Sequence, residues 1–290
     1  MAIAESELIL NPDGSIYHLN LKPEHIADTV ITVGDPDRVP HVTKYFDKIE
    51  HKVSKREFHT QTGVYKGQRL TVISTGIGTD NIDIVFNELD ALVNIDFNTR
   101  EIKKKHKALQ IIRIGTSGAI QSNIPIDSFI VSEIAVGFDS LLHFYDSHHI
   151  QSPEISTALI KHLHWDKNKS LPYTVSFDEK LGNHMVSDLA HKGVTVTNVG
   201  FYGPQGRILR LPIQDKELND KMASFSYENK KITNLEMETA GIYGMAKLLG
   251  HKAVSMNAIL ANRATGEFSQ NPKKIVDELI QHTLNKLVTM

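Results

Sequence analysis

Four short segments bring together residue types suited to chemistry. In Gly34-Asp35-Pro36-Asp37-Arg38 a glycine precedes a predicted helix start, and an arginine follows one turn in. Free backbone N–H groups, the positive end of a helix and a guanidinium would meet there, which suits an anion. The same residues also fit an ordinary strand-to-helix turn, with Asp35 as N-cap and Arg38 paired to a surface carboxylate. In Arg113-Ile114-Gly115-Thr116-Ser117-Gly118 the arginine interrupts an apolar run, Ile111-Ile112-Arg113-Ile114. A guanidinium inside a buried strand needs an anion. That anion is either a glutamate from a neighbouring strand or a ligand phosphate cradled by Thr116 and glycine-flanked amides. In Asn234-Leu235-Glu236-Met237-Glu238-Thr239-Ala240, two glutamates flank a methionine. They suit either the first turn of a helix capped by Thr233 or Asn234, or the hydroxyls and apolar face of a sugar. Finally, Phe201-Tyr202-Gly203-Pro204-Gln205-Gly206-Arg207 reads as a loop. Its ring, amide and guanidinium would read a flat heterocycle, or the segment is plain mobile surface.

The elements that must position these groups alternate along the chain. Strands are expected at Thr29–Val33, around Val53–Gln61, and at Arg69–Ser74, Leu109–Ile114, Phe129–Val136, Gly193–Val199 and Ala253–Leu260. Helical spacing marks a segment opened by Pro36 with Val39, Val42 and Phe46 on its apolar face, and a longer one from Asp80 to Asn94. Further helices are predicted from Ser152 to about Leu163, from about Leu235 to Leu249 with Gly250 as the stop, and from Asn271 to Leu287. Such alternation argues for one α/β domain around a largely buried sheet. Ligands in such sheets bind at the carboxyl ends of strands, where three of the four segments fall.

Composition narrows the function. The chain has 290 residues, 40% hydrophobic and 23% charged, enough for a substantial core. A formal charge of −2 gives no general electrostatic reason to bind nucleic acid or a membrane surface. There is no cysteine, which excludes disulfides, thiolate nucleophiles and Cys-ligated zinc. No apolar run reaches the ~18 residues of a membrane span, and Glu5 and Glu7 sit where a secretory signal would be basic. A cytoplasmic protein is expected.

Taken in order, the motifs Gly-Asp-Pro-Asp-Arg, Arg-Glu-Phe, Ser-Thr-Gly-Ile-Gly, Arg-Ile-Gly-Thr-Ser-Gly-Ala-Ile, Gln-Gly-Arg and Glu-Met-Glu resemble the nucleoside phosphorylase family, uridine phosphorylase type. The resemblance runs from His18 to the last helix. It implies a three-layer α/β/α single domain over residues 1–290, with a mixed, partly barrel-like central sheet. It implies a phosphate site of Gly34, Arg38, Arg113 and Thr116, with Arg56 reaching in from a neighbouring subunit. Ribose would be held by Met237 and Glu238, and by His18 from a partner chain. The base would meet Phe201, Gln205 and Arg207. Catalysis would rest on Arg113, Thr116, Gln205, Arg207 and Glu238, with inorganic phosphate as co-substrate and no cofactor. A homodimer or homohexamer with sites at the subunit interface is implied.

Base class turns on one position. Purine-specific members carry an aspartate after the late strand, and here that strand runs into Ala261-Asn262-Arg263. A pyrimidine nucleoside, uridine first, is therefore expected, with the choice of ribose or deoxyribose open. Some relatives hold a potassium-like cation; Glu57 and Ile77 match that site, but Asn81 replaces its serine, so no metal is expected. Two alternatives stand beside phosphorolysis: a nucleosidase of the same fold, which would lack the arginine cluster, and a nucleoside-binding or storage protein without turnover. Removing Arg113 is expected to abolish turnover and leave the fold intact.

Overall fold

The computed structural model describes residues 2–290. Its strands and helices follow in the order β1 (Thr29–Val33), α1 (Arg38–Thr43), β2 (Lys48–Lys55), β3 (Phe58–Tyr65), β4 (Gln68–Ser74) and α2 (Thr79–Asn94). A small ribbon, β5 (Ile95–Asp96) and β6 (Glu101–Ile102), precedes β7 (Gln110–Ala119) and β8 (Phe129–Gly137). Then come α3 (Pro153–Leu163), β9 (Tyr173–Ser176), α4 (Glu179–Met185), β10 (Ala190–Thr197), α5 (Leu218–Ser224), β11 (Ser226–Tyr227) and β12 (Lys230–Glu236). The chain closes with α6 (Thr239–Leu248), β13 (Lys252–Asn262), β14 (Glu267–Phe268) and α7 (Pro272–Leu287).

Twelve strands form one mixed sheet in the order β11-β12-β10-β8-β13-β7-β1-β4-β3-β2, with β9 on β8 and β14 on β13. β7 lies parallel to both β1 and β13, as its nearly continuous apolar run requires of a strand covered on both faces. An extra antiparallel pairing, Asn234 with Ala119 and Leu235 with Gly118, joins β12 back to β7. Strands β7, β13, β8, β10 and β12 thereby close a ring, the partly barrel-like region. Helices α2 and α6 pack together, α7 and α4 pack against β13, and α1 packs on β3 and β4 beside α7. The amphipathic face expected for α2 is buried at Ile82, Val85, Phe86, Leu89 and Leu92. Each such side chain contributes about 1.5–3 kcal/mol by leaving water.

The strand expected at Leu109–Ile114 runs on to Ala119, so residues 116–118 lie within β7 and not beyond its end. Three further boundaries shift, each for a local reason. The strand read around Val53–Gln61 is two strands, because Arg56 turns the chain with φ +56° between β2 and β3. The helix expected from Leu235 begins at Thr239 instead. Asn234, Leu235 and Glu236 extend β12, held by β10 and β7, so neither Thr233 nor Asn234 caps it. Pro36 lies in the turn before α1, and Phe46 lies beyond its end at Thr43. Gly250, at φ +76°, follows α6 as expected.

Candidate active site

Arg113 is the centre of the site. It sits on β7 beside β13, in register with Ser255. Its guanidinium is buried, donating to Oε2 of Glu238 at 2.5 Å and lying 3.1 Å from Oε2 of Glu236. The other terminal nitrogen donates to Oδ1 of Asn257 at 2.9 Å. Gly115 makes this path available: a Cβ there would lie 1.8 Å from Nη1 of Arg113. The structure thus supplies Arg113 with carboxylate partners. Burial works against its charge, but Glu236 and Glu238 outweigh it and hold the pKa above its ordinary value.

The two glutamates differ. Glu236, at the end of β12, accepts from the N–H groups of Glu238 and Thr239 and from Oγ1 of Thr197 at 2.6 Å. Both its oxygens are committed to starting α6 and bracing Arg113, so it is an anchor and not one of a matched sugar-holding pair. Glu238 follows two residues later, immediately before α6. Its Oε1 accepts from the N–H of Gly78, whose φ of +97° opens α2. Burial pushes the Glu238 carboxyl up; Arg113 opposes that shift and Glu236 reinforces it.

Arg38 enters from the start of α1, where Nη1 donates to the carbonyl of Ile114 at 3.3 Å. Burial and the nearby Arg113 lower its pKa. No carboxylate among the described residues is within ion-pair distance of it. Asp35 instead accepts from the N–H of Asp37, and Asp37 is the residue before the helix. The two arginines therefore face common surroundings.

A cavity of about 790 Å3 joins these groups to the fourth segment. Gly34, Arg38, Arg113 and Thr116 line it on one side, Met237 and Glu238 on another, and Phe201, Gln205 and Arg207 on a third. The 201–207 loop is anchored at its centre: Gln205 is buried, and its carbonyl accepts from Asn219 at 3.1 Å and from Arg263 at 3.1 Å. Arg207 lies over the Phe201 ring, 3.7 Å from its centroid, and donates to Oε1 of Gln205 at 2.7 Å. Burial and the neighbouring Arg263 push its pKa down to about 10, so it stays cationic at neutral pH.

Two expected residues lie outside this cavity within one chain. Arg56 is exposed at the β2–β3 turn. His18 is held by Glu88, which accepts from its backbone N–H and approaches its Nδ1 at 2.6 Å. Glu57, Ile77 and Asn81 do line the cavity, and no group of three or more His, Cys, Asp or Glu suited to a metal occurs among the described residues. Sequence reasoning passed over Ser255 and Asn257, and used Arg263 only as a mark of the missing acid. The first two announced themselves as polar residues two apart in the apolar run of β13, on the face turned to Arg113.

Residues 28–289 match the family described as the phosphorylase superfamily. The chain belongs to that superfamily. A uridine phosphorylase of Thermococcus kodakarensis is 31% identical over 271 residues, covering 90% of this chain and 83% of that relative. A DeoD-type purine nucleoside phosphorylase of Shewanella loihica is 27% identical, covering 94% and 98%. Among solved structures, a Trypanosoma brucei nucleoside phosphorylase described as showing uridine phosphorylase activity matches with a TM-score of 0.88. It is 27% identical, and the match covers 98% of this chain and 100% of that one. This superfamily member is an enzyme, a pentosyltransferase of the nucleoside phosphorylase kind, with inorganic phosphate as co-substrate.

Proposed function

We propose that the chain cleaves a pyrimidine nucleoside, uridine first, by phosphorolysis to uracil and ribose 1-phosphate. One observation carries the reading: Arg38, Arg113 and Glu238 share a cavity with Phe201, Gln205 and Arg207. Phosphate would lie against Gly34, Arg38, Arg113 and Thr116. Glu238 would accept from ribose hydroxyls, with the Met237 thioether against the apolar sugar face. The base would stack on Phe201 in the place of the Arg207 guanidinium, which would move to the edge of the ring and donate there with Gln205.

In the reaction a phosphate oxygen forms the new bond to C1′ as the bond from C1′ to the base nitrogen breaks. The electron pair of that bond goes to the pyrimidine, whose developing negative charge meets Gln205 and Arg207. The sugar passes through a cationic state that phosphate and Glu238 offset. Fixed donors aimed at developing charge each contribute on the order of 3 kcal/mol. The pyrimidine choice is supported by Arg263, which occupies the turn after β13 and donates to the carbonyls of Gln205 and Gly206, leaving no carboxylic acid there to protonate a purine.

Charge supports a site completed by a second copy. The arginines lining the cavity, Arg38, Arg113 and Arg207, face Asp35, Glu57, Glu236 and Glu238. One chain therefore offers no surplus positive charge to a phosphate dianion. Arg56, exposed and next to the cavity-lining Glu57, would supply it from the partner subunit, and His18 would be donated in the same way to the ribose 5′-hydroxyl.

The test is a panel of uridine, deoxyuridine, thymidine and inosine, each with and without phosphate, scored by liberated base. Uracil release that requires phosphate, with inosine inert, is expected. The purine-cleaving name of the Shewanella relative makes inosine the informative competitor. Base release at an unchanged rate without phosphate would favour a nucleosidase. Uridine binding without turnover in phosphate would favour a storage protein.

A further inference from the structure

A second cavity, of about 810 Å3, lies on the other side of the 201–207 loop. Its volume is in the range of small-molecule sites. It is bounded by residues 165–170 between α3 and β9, residues 198–204 after β10, and residues 209–215 before α5. Of the candidate active-site residues only Arg207 lines both cavities, so this space is not a continuation of the sugar and phosphate region.

The lining is aromatic and aliphatic with a basic edge. Trp165 packs on Phe138 with ring centroids 4.5 Å apart, and its indole N–H is taken up by the carbonyl of Ser170. Tyr202, Leu209 and Leu211 complete an apolar wall, and all three are more than half exposed. Apolar surface gathered in a cleft marks a binding site more often than scattered exposure does. Lys169 lies over the Trp165 ring at 5.3 Å, and Arg210 lines the same cavity. Neither has an ion-pair partner among the described residues. The acidic residue lining the cavity, Asp215, is already paired with Lys221 at 2.9 Å. Asn198, buried at the end of β10, adds an amide whose Oδ1 has no hydrogen-bond partner among the described residues.

We propose that this cavity is a second ligand site, for a small amphipathic anion: an aromatic or aliphatic body carrying one carboxylate, sulfonate or phosphate. The body would lie against Trp165, Tyr202 and Leu211, and the anionic group would meet Lys169 and Arg210. Because Arg207 belongs to both cavities, a ligand here is linked to the base site, and by reciprocity each occupant alters the affinity of the other by the same factor.

Trp165 is the single tryptophan of the chain, so it reports on this cavity directly. The probe is 1-anilinonaphthalene-8-sulfonate, titrated into the intact protein with excitation of Trp165. Saturable energy transfer from Trp165 to the probe is expected. Arg210→Glu and Leu211→Asp, both at exposed positions that leave the core untouched, should each weaken binding by about tenfold through lost charge and apolar contact. Saturating probe should also shift the nucleoside KM of the wild type and not that of Arg210→Glu. Transfer that does not saturate, or affinity unchanged in both variants while their melting temperatures match the wild type, would overturn the site. An unshifted KM in wild-type protein saturated with probe would overturn the link to the base site.

Discussion

Nη2 of Arg113 lies 2.5 Å from Oε2 of Glu238, both side chains being almost fully buried. An arginine on β7 and a glutamate at the head of α6, 125 residues apart, are thereby locked together beside one cavity. With Glu236 as the third member, the cluster joins the sheet to the start of α6, and through the Gly78 N–H to the start of α2. The same contact that orders the site also makes its members structurally expensive to remove.

That pair changes the expectation for Arg113. Arg113→Ala leaves two buried carboxylates without their cation, a loss of about 3–5 kcal/mol. Turnover should vanish, and chemical denaturation should show a lowered midpoint, which the sequence alone did not anticipate. Arg113→Met combined with Glu238→Gln removes both charges of the pair and should recover a large part of the stability without recovering activity. Equal destabilisation in the single and double variants would contradict the pairing.

Gly115 is predicted to be as sensitive as the charged residues. A methyl group at this position would occupy the space of the Arg113 guanidinium. Gly115→Ala should displace it by about an ångström and reduce kcat/KM by about a hundredfold. Steady-state kinetics with a far-ultraviolet circular dichroism spectrum would separate this from global unfolding.

Glu238 is predicted to set the acid side of the pH profile. Its carboxyl is pushed up, mainly by burial and further by Glu236, against the pull of Arg113. In the proposed sugar site the ionised form is the one required, so kcat/KM should begin to fall at a pH above the ordinary carboxyl value of 4.5. In Glu238→Gln the residual activity should be low and should lose this acid limb. Retention of the limb at the same pH would assign it to another group.

The stacked pair His25 and His51, with ring centroids 3.7 Å apart, predicts a separate effect on stability. Burial lowers both pKa values; nearby Glu24 opposes the shift, while Arg69 and, for His25, Lys22 add to it. A histidine depressed in the folded state contributes its stability fully above the unfolded value of 6.5, and loses it as pH falls through the folded value. Melting temperature should therefore drop as pH is lowered from 7 towards 5. A His25→Gln, His51→Gln variant should show a flatter slope over that range, measured by differential scanning fluorimetry.

Much of the site was legible because its residues break local rules. Arg113 inside an isoleucine run demanded an anion, and of its two readings the structure supplies the carboxylates, Glu236 and Glu238, while the phosphate reading stays a proposal for the cavity that Arg113 lines. Glu-Met-Glu was visible as a motif, but the division of labour between Glu236 and Glu238 was not. It follows from where β12 stops, and β12 stops there because long-range pairing with β10 and β7 overrides the helical spacing of the sequence. The β2–β3 turn was hidden because Arg56 adopts a positive φ without glycine, asparagine or proline to announce it. β9, α4 and α5 were missed because each is short, four residues in β9 and seven in each helix, too few for a periodic pattern to show.

The central claim is that guanidinium groups from β7 and α1 hold an oxyanion beside a sugar held by Glu238. A crystal structure of the protein with phosphate and a non-cleavable uridine analogue tests it most directly. Phosphate hydrogen-bonded by Arg38, Arg113 and Thr116, with ribose hydroxyls on Glu238, is the predicted result. Phosphate bound elsewhere, with Arg113 still held only by its glutamates and Asn257 and with Arg38 still on the Ile114 carbonyl, would contradict it.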